Sequence, residues 1–266
     1  MTIGLSTYAF FWQGSDQVEK PLNLSDMIAA TADAGVGVFQ ICDYPLVAEL
    51  DPNQLQALRS QAERAGIRLE LGTRGLGFEH LSRYLDLARQ LDAITIRSML
   101  YSATHRPTLE EARTLLQQAV PAFEQAGVTL ALETYEQVPS GVLVDLVSSI
   151  DSPYLGICSD PANCVAALEL PADVIDRVAP YVVNMHIKDF QFTRQEGWVG
   201  FNLIGAPLGE GLLDYDAMIE RVNPLPRNIS QIIEHWLPWQ GSADATCAME
   251  QQWTEHNLSY LRSKQS

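Results

Sequence analysis

Residues 126–134 read Ala-Gly-Val-Thr-Leu-Ala-Leu-Glu-Thr. The opening three close a helix and start a strand. A glycine at 127 suits the left-handed backbone that ends a helix, where a Cβ would clash, and the β-branched Val128 begins extended chain. The same phrase stands at Ala34-Gly35-Val36 and Ala65-Gly66-Ile67, so the three glycines lie 31 and then 61 residues apart. Those spacings are one and two turns of a repeating βα unit. The strand that follows Gly127 alternates, with Leu130 and Leu132 on one face and Ala131 and Glu133 on the other.

Extending this reading gives strands near 3–8, 36–43, 67–74, 93–99, 128–134, 154–159, 182–188 and 230–235, which makes eight. Helix starts separate them. Asp51-Pro52 with Gln54, and Thr108 with Glu111, each place a capping side chain ahead of a helix with an acceptor three residues on. The last helix runs from about 244 to 264. Strict alternation implies a parallel sheet, and barrels of about 250 residues fold as one unit, so the expected architecture is a single-domain (β/α)8 TIM barrel over 1–266. The stretch 191–211, with Gly197, Gly200 and Gly205, is the expected lid loop.

Strand parity separates an outside from an inside. Ile3 and Leu5, Leu69 and Leu71, Ile94 and Ile96, Leu130 and Leu132, Leu155 and Ile157, and Met185 and Ile187 are aliphatic and are expected to meet the helices. The other parity collects Ser6 and Tyr8, Gly72 and Arg74, Thr95 and Arg97, Ala131 and Glu133, Cys158 and Asp160, then Asn184, His186 and Lys188, then Glu234 and Trp236. These face the axis, at the C-terminal strand ends where barrels build their sites. His235, beside Glu234 but of opposite parity, is expected to be structural, and His80, His105 and His256 take no role.

Composition excludes several classes. Hydrophobic residues make up 47% and charged ones 19%, an ordinary globular balance. Lys and Arg total 17 against 33 Asp and Glu, for a formal charge of −16. Such a surface repels phosphate backbones and anionic lipid, so neither nucleic acid nor membrane is an expected partner. Cys42, Cys158, Cys164 and Cys247 form no CxxC pair and read as reduced thiols, the N-terminus has no basic leader, and the cytoplasm is the expected compartment. No apolar surface stripe forces association, which leaves a homo-oligomer open.

Glu133, Asp160 and His186 follow at intervals of 27 and 26 residues, one βα step each, and Glu234 comes 48 residues later. Four consecutive strands thus offer one ligand-capable group apiece. Asp160 alone would be a helix cap and His186 alone a core histidine; the series favours a shared cation over both. Three carboxylates and one imidazole make a hard site, suited to Mn2+ or Mg2+ and able to take Co2+.

The runs Ala-Leu-Glu-Thr-Tyr-Glu-Gln (131–137), Gly-Ile-Cys-Ser-Asp-Pro-Ala-Asn (156–163), Asn-Met-His-Ile-Lys-Asp-Phe (184–190) and Ile-Ile-Glu-His-Trp (232–236) resemble the metal-binding strand ends of the xylose isomerase-like barrel superfamily, in its sugar isomerase and epimerase branch. The resemblance spans nearly the whole chain, including residues 3–10 and 209–215. It implies that Glu133, Asp160, His186 and Glu234 bind the metal and that the two glutamates serve as acid and base. A metal beside a carbonyl stabilises the enediolate left by deprotonation, which is the shared step of epimerisation and aldose–ketose isomerisation. The sequence departs from the ketose 3-epimerases, whose Glu-rich, Arg-containing stretch is replaced after His186 by Ile-Lys-Asp-Phe-Gln-Phe. It departs from the barrel endonucleases in having only five histidines and Asn163 where they place one.

Arg74, Arg97 and Lys188 are unusual inside so acidic a chain. Their partners are either the metal carboxylates and Glu70, or an anionic substrate. With Asn163, Tyr8 and Trp236 they form the expected substrate-facing set. The glycines of 205–211 lie in a long loop and give no clear phosphate site, which favours a carboxylate. The leading expectation is therefore an isomerase or epimerase of a small sugar or sugar acid. The alternative is a lyase on the same fold, decarboxylating a 3-oxo sugar acid or dehydrating a related acid, and a non-catalytic metabolite-binding barrel ranks last.

Overall fold

A computed structural model describes residues 3–264. Eight parallel strands close into a barrel: β1 (Ile3–Ser6), β2 (Val38–Cys42), β3 (Arg68–Arg74), β4 (Thr95–Met99), β5 (Thr129–Glu133), β6 (Leu155–Ser159), β7 (Val182–Ile187) and, after an inserted hairpin, β10 (Ser230–Ile233). Sequence neighbours pair in order around the ring, and β10 closes it by lying between β7 and β1. The helices α1 (Leu24–Asp33), α2 (Pro52–Ala65), α3 (Phe78–Leu91), α4 (Leu109–Ala126), α5 (Ser140–Ile150), α6 (Pro161–Cys164), α7 (Pro171–Val178) and α8 (Tyr215–Val222) lie between the strands, and α9 (Ala243–Ser263) follows the last one.

Gly66 and Gly127 stand at the C-caps of α2 and α4 with φ of 68° and 67°, so the repeated phrase terminates helices as expected. Both expected capping boxes form, Asp51 with Gln54 and Thr108 with Glu111. Parity also holds: Leu5, Leu71, Ile96, Leu130, Ile157, Met185 and Ile187 are fully buried between sheet and helices. Ile94 is the exception, because β4 begins at Thr95 and Ile94 sits ahead of it, half-exposed.

Strands are shorter than the sequence suggests. β1 ends at Ser6, and Tyr8 lies in a 3-10 turn over Thr7–Phe10. Asp160 and Glu234 fall just past β6 and β10, and Lys188 just past β7. The side chains that matter are held at the barrel mouth.

The expected lid loop is instead an antiparallel hairpin, β8 (Asp189–Arg194) with β9 (Phe201–Ala206). Its base is fixed by Asp189, whose carboxylate accepts hydrogen bonds from the backbone N–H of Phe190, Gly209, Gly211 and Leu213 at 2.8–3.0 Å. Those amides are the ones an anion would use in a glycine-rich loop, and here an internal carboxylate takes them. A Cβ at Gly211 would collide with Asp189 itself. His235 is buried on the outer face against Thr254 and Asn257, as a structural histidine should be, and burial lowers its pKa to about 4.

Candidate metal and substrate site

The four side chains singled out by spacing gather around the His186 imidazole in two overlapping sets, Glu133 and Asp160 with His186, and Glu234 with Cys42 and His186. His186 Nδ1 lies 3.2 Å from Glu133 Oε1, 3.5 Å from Glu234 Oε2 and 3.8 Å from Asp160 Oδ2. All four residues are buried. Asp160 also caps α6 by accepting from the N–H of Asn163, while its Oδ2 faces His186 Nδ1. Asn163 adds its side-chain amide, donating to Asp160 Oδ2 at 3.0 Å and Glu133 Oε1 at 3.2 Å.

Three carboxylates within 3.8 Å of one imidazole nitrogen concentrate negative charge at a buried point. Burial opposes a charge on His186, but the Cys158 sulfur, Glu234, Glu133 and Asp160 raise its pKa well above the ordinary imidazole value. Positive charge is stabilised there, whether carried by a proton or by a divalent ion, and the donor set fits a hard metal. Cys42 Sγ is a further neighbour, within 4.8 Å of ligand atoms of His186 and Glu234. Sequence reasoning gave it no place in the site.

The basic residues have internal partners. Lys188 Nζ lies 2.8 Å from Asp160 Oδ2 and 3.2 Å from Glu234 Oε2, and 4.4 Å from the centre of the Trp236 ring. Burial works against its charge, yet Asp160, Glu234 and Glu133 hold its pKa raised. The same attraction works in reverse on the acids, where burial is outweighed by Lys188 and His186 and the carboxyls of Asp160 and Glu234 stay below the usual range. Arg97 Nε stands 2.8 Å from Glu133 Oε2, an ion pair in which neither atom makes a directed hydrogen bond.

Asp43 is a second centre that the sequence did not reveal. It pairs with Arg97 Nη1 at 3.0 Å and with Arg74 Nη2 at 2.8 Å, and accepts from the Tyr8 hydroxyl at 3.1 Å. Burial would raise its pKa, but the two guanidiniums drive it far below the carboxylate range. The expected pairing of the basic trio with Glu70 does not occur: Glu70 is bound deeper in the barrel by Arg68, which lies two residues before it on the same face of β3. Arg97 and Lys188 are buried, whereas the Arg74 side chain is 51% exposed and so remains accessible from the mouth. Tyr8 stacks on Phe11, while Phe11 meets Trp12 and Trp12 meets Trp239 edge to face, giving an aromatic rim on that side.

With this geometry in hand, the chain can be set beside known proteins. The sequence pattern of the xylose isomerase-like TIM barrel matches residues 28–264. A relative described as 3-oxo-isoapionate decarboxylase, from Pectobacterium atrosepticum, is 58% identical over 264 residues, covering 99% of this chain and 96% of the relative. Among solved structures, a D-psicose 3-epimerase with D-tagatose from Clostridium cellulolyticum superposes with a TM-score of 0.75 at 16% identity, covering 99% of both chains. A xylose isomerase-like barrel from Mycobacterium smegmatis in complex with magnesium gives 0.72 at 17% identity, covering 97% of both. At such identities the structural likeness speaks for the fold alone.

Proposed function

Because the chain belongs to the xylose isomerase-like TIM barrel family, we propose that it is a metal-dependent lyase, a cytoplasmic single-domain barrel that removes CO2 from a 3-oxo sugar acid of the 3-oxo-isoapionate type. The chain is an enzyme. The observation that carries the reading is the 58% identity to a decarboxylase over almost the full length of both chains. It moves the lyase alternative ahead of the isomerase or epimerase reading that the ligand set alone favours.

The charge of the site supports an acidic substrate. Asp43, Glu133, Asp160 and Glu234 face Arg74, Arg97 and Lys188, so four carboxylates against three cations leave one negative charge with a neutral imidazole. Glu133, Asp160, His186 and Glu234 would hold a divalent ion, Mn2+ or Mg2+ with Co2+ as a substitute, and the balance then becomes one positive charge. That matches a substrate bearing one carboxylate. When bound, the ion supplies positive charge beside the 3-oxo oxygen, where the electron pair of the broken bond is drawn.

The protein's own groups do the remainder. Arg74, exposed at the mouth, and Arg97 behind it offer guanidinium donors to the substrate carboxylate and orient the bond that breaks. Lys188, backed by Trp236, and Asn163 face the hydroxyl and oxo oxygens next to the carboxylate ligands. Tyr8 fixes Arg74 by hydrogen bonding at 3.0 Å. As CO2 departs, the carbon that held it must take up a proton, and Glu133 or Glu234 passes on one drawn from solvent. The exposed hairpin tip, with Trp198, Val199 and Phe201, supports self-association.

The test is turnover of 3-oxo-isoapionate with Mn2+ present. One CO2 released per substrate consumed is expected. No CO2, together with solvent deuterium entering a ketose next to its carbonyl, would return the assignment to an epimerase.

A further inference from the structure

Below the four-ligand cluster, the barrel interior holds a polar chain running from Glu70 to His186. Glu70 is completely buried. One of its oxygens accepts from Ser230 and Arg68, and the other accepts from Asn184 Nδ2 at 2.9 Å and Gln40 Nε2 at 3.2 Å. Gln40 Nε2 also donates to Asn184 Oδ1 at 3.2 Å. The Gln40 carbonyl oxygen then faces His186 Nε2 at 2.8 Å.

Each link restricts the next. Glu70 Oε2 and Asn184 Oδ1 both accept from Gln40 Nε2, so Gln40 turns its NH2 towards them and its oxygen towards the histidine. An amide oxygen can only accept as well, so His186 Nε2 must carry a proton. The unprotonated lone pair of a neutral ring is thereby left on Nδ1, the atom that lies among Glu133, Asp160 and Glu234.

We infer that Glu70 and Gln40 are positioning residues that set the tautomer of His186, and so its competence as a ligand, through a donor–acceptor relay across the barrel floor. The inference rests on the metal-site reading above. Outer-shell groups of this type shift metal affinity by roughly 10- to 100-fold. Glu70→Gln removes the group that dictates Gln40's orientation, so the Gln40 amide can turn, present N–H to His186 Nε2 and drive the proton to Nδ1. Gln40→Leu keeps the bulk and deletes the acceptor.

The informative combination is Gln40→Glu with Glu70→Gln. There the carboxylate sits on β2, still accepts from Nε2–H, and receives an N–H from residue 70, so the relay is rebuilt in reverse. Mn2+ affinity is measured by calorimetry for all four proteins, alongside 15N-histidine NMR of the Mg2+-loaded forms and thermal unfolding. The expectation is an Nε2-bound proton in wild type, a 10- to 100-fold weaker Mn2+ site in each single variant, and recovery to within a few-fold of wild type in the double variant. A general packing role predicts no such recovery. Wild-type affinity in Glu70→Gln, or a metal-loaded ring protonated on Nδ1, overturns the relay. If Glu70→Gln does not fold, the comparison of Gln40→Leu with the double variant decides. A wild-type Nε2 proton with no Mn2+ binding overturns the metal reading instead and leaves the tautomer assignment standing.

Discussion

Lys188 shares two carboxylates with the expected metal ion, and removing its charge should separate the two cations' contributions. In Lys188→Met the flexible thioether replaces the aliphatic stem beside Trp236 while deleting an ammonium that lies 2.8 Å from Asp160 and 3.2 Å from Glu234. Breaking a buried ion pair from one side costs about 3–5 kcal/mol, because the remaining charge stays buried without compensation. At about 2–4 °C per kcal/mol for a chain of this size, 3 kcal/mol lowers the midpoint of the metal-free protein by roughly 6–12 °C. A divalent ion should restore most of that loss, since it neutralises the same two carboxylates. The variant should therefore bind Mn2+ up to about 100-fold more tightly than wild type, at about 1.4 kcal/mol per tenfold. Turnover should fall, because a cation facing the substrate is gone. Scanning fluorimetry with and without Mn2+, paired with calorimetric titration, reads both effects. An Mn2+-induced shift no larger than that of wild type would refute the idea that Lys188 and the metal are held by the same charges.

Three further outcomes follow from the geometry. Asp189→Ala strips the acceptor from four backbone amides at the hairpin base, and should cost about 3–5 kcal/mol in chemical denaturation with urea; a loss below about 1 kcal/mol would mean that the hairpin is held by other contacts. Native protein should show one fast thiol towards Ellman's reagent and four after denaturation, because Cys42, Cys158 and Cys164 are buried, with burial raising the last two pKa values to about 11 and about 12, while Cys247 is partly exposed; two or more fast native thiols would contradict that burial. Sedimentation should show a dimer that Trp198→Asp converts to monomer: the tip's Arg194, stacked 4.2 Å from the Phe201 ring centre, complements the acidic rim of the apolar groove of about 940 Å³ beside the hairpin, which carries Glu169, Asp214 and Glu220. A monomeric wild type would remove the support for self-association.

How far the site could be read from the sequence follows from what fixes each side chain. Glu133, Asp160, His186 and Glu234 were legible because strand parity and the βα repeat together determine direction and height, and the register shift between Ile157 and Cys158 still leaves Asp160 facing His186. Asp43 was not. It has outward parity after Cys42, but its backbone is left-handed at φ 48°, which swings the carboxylate back over the mouth to Arg97 and Arg74. The hairpin does carry a sequence signal: Asp-Phe-Gln-Phe-Thr-Arg alternates as a strand does, while Gly197 and Gly200 lie in its turn and Gly205 packs closely against Trp236. Gln40 and Glu70 lie on inward parity, yet only their partners on β7 and β10 give them a role, and those are tertiary contacts. Glu70 was expected to serve the basic trio and instead anchors the floor, because Arg68, two residues before it on β3, and Ser230 on β10 both donate to its carboxylate.

The central claim is that Glu133, Asp160, His186 and Glu234 share one cation. Crystals grown with Mn2+ and measured at the manganese absorption edge test it directly. A single anomalous peak within coordination distance of Glu133 Oε1, Asp160 Oδ2, His186 Nδ1 and Glu234 Oε2 is expected. No peak there, with Lys188 still bridging Asp160 and Glu234 at full manganese concentration, would contradict it.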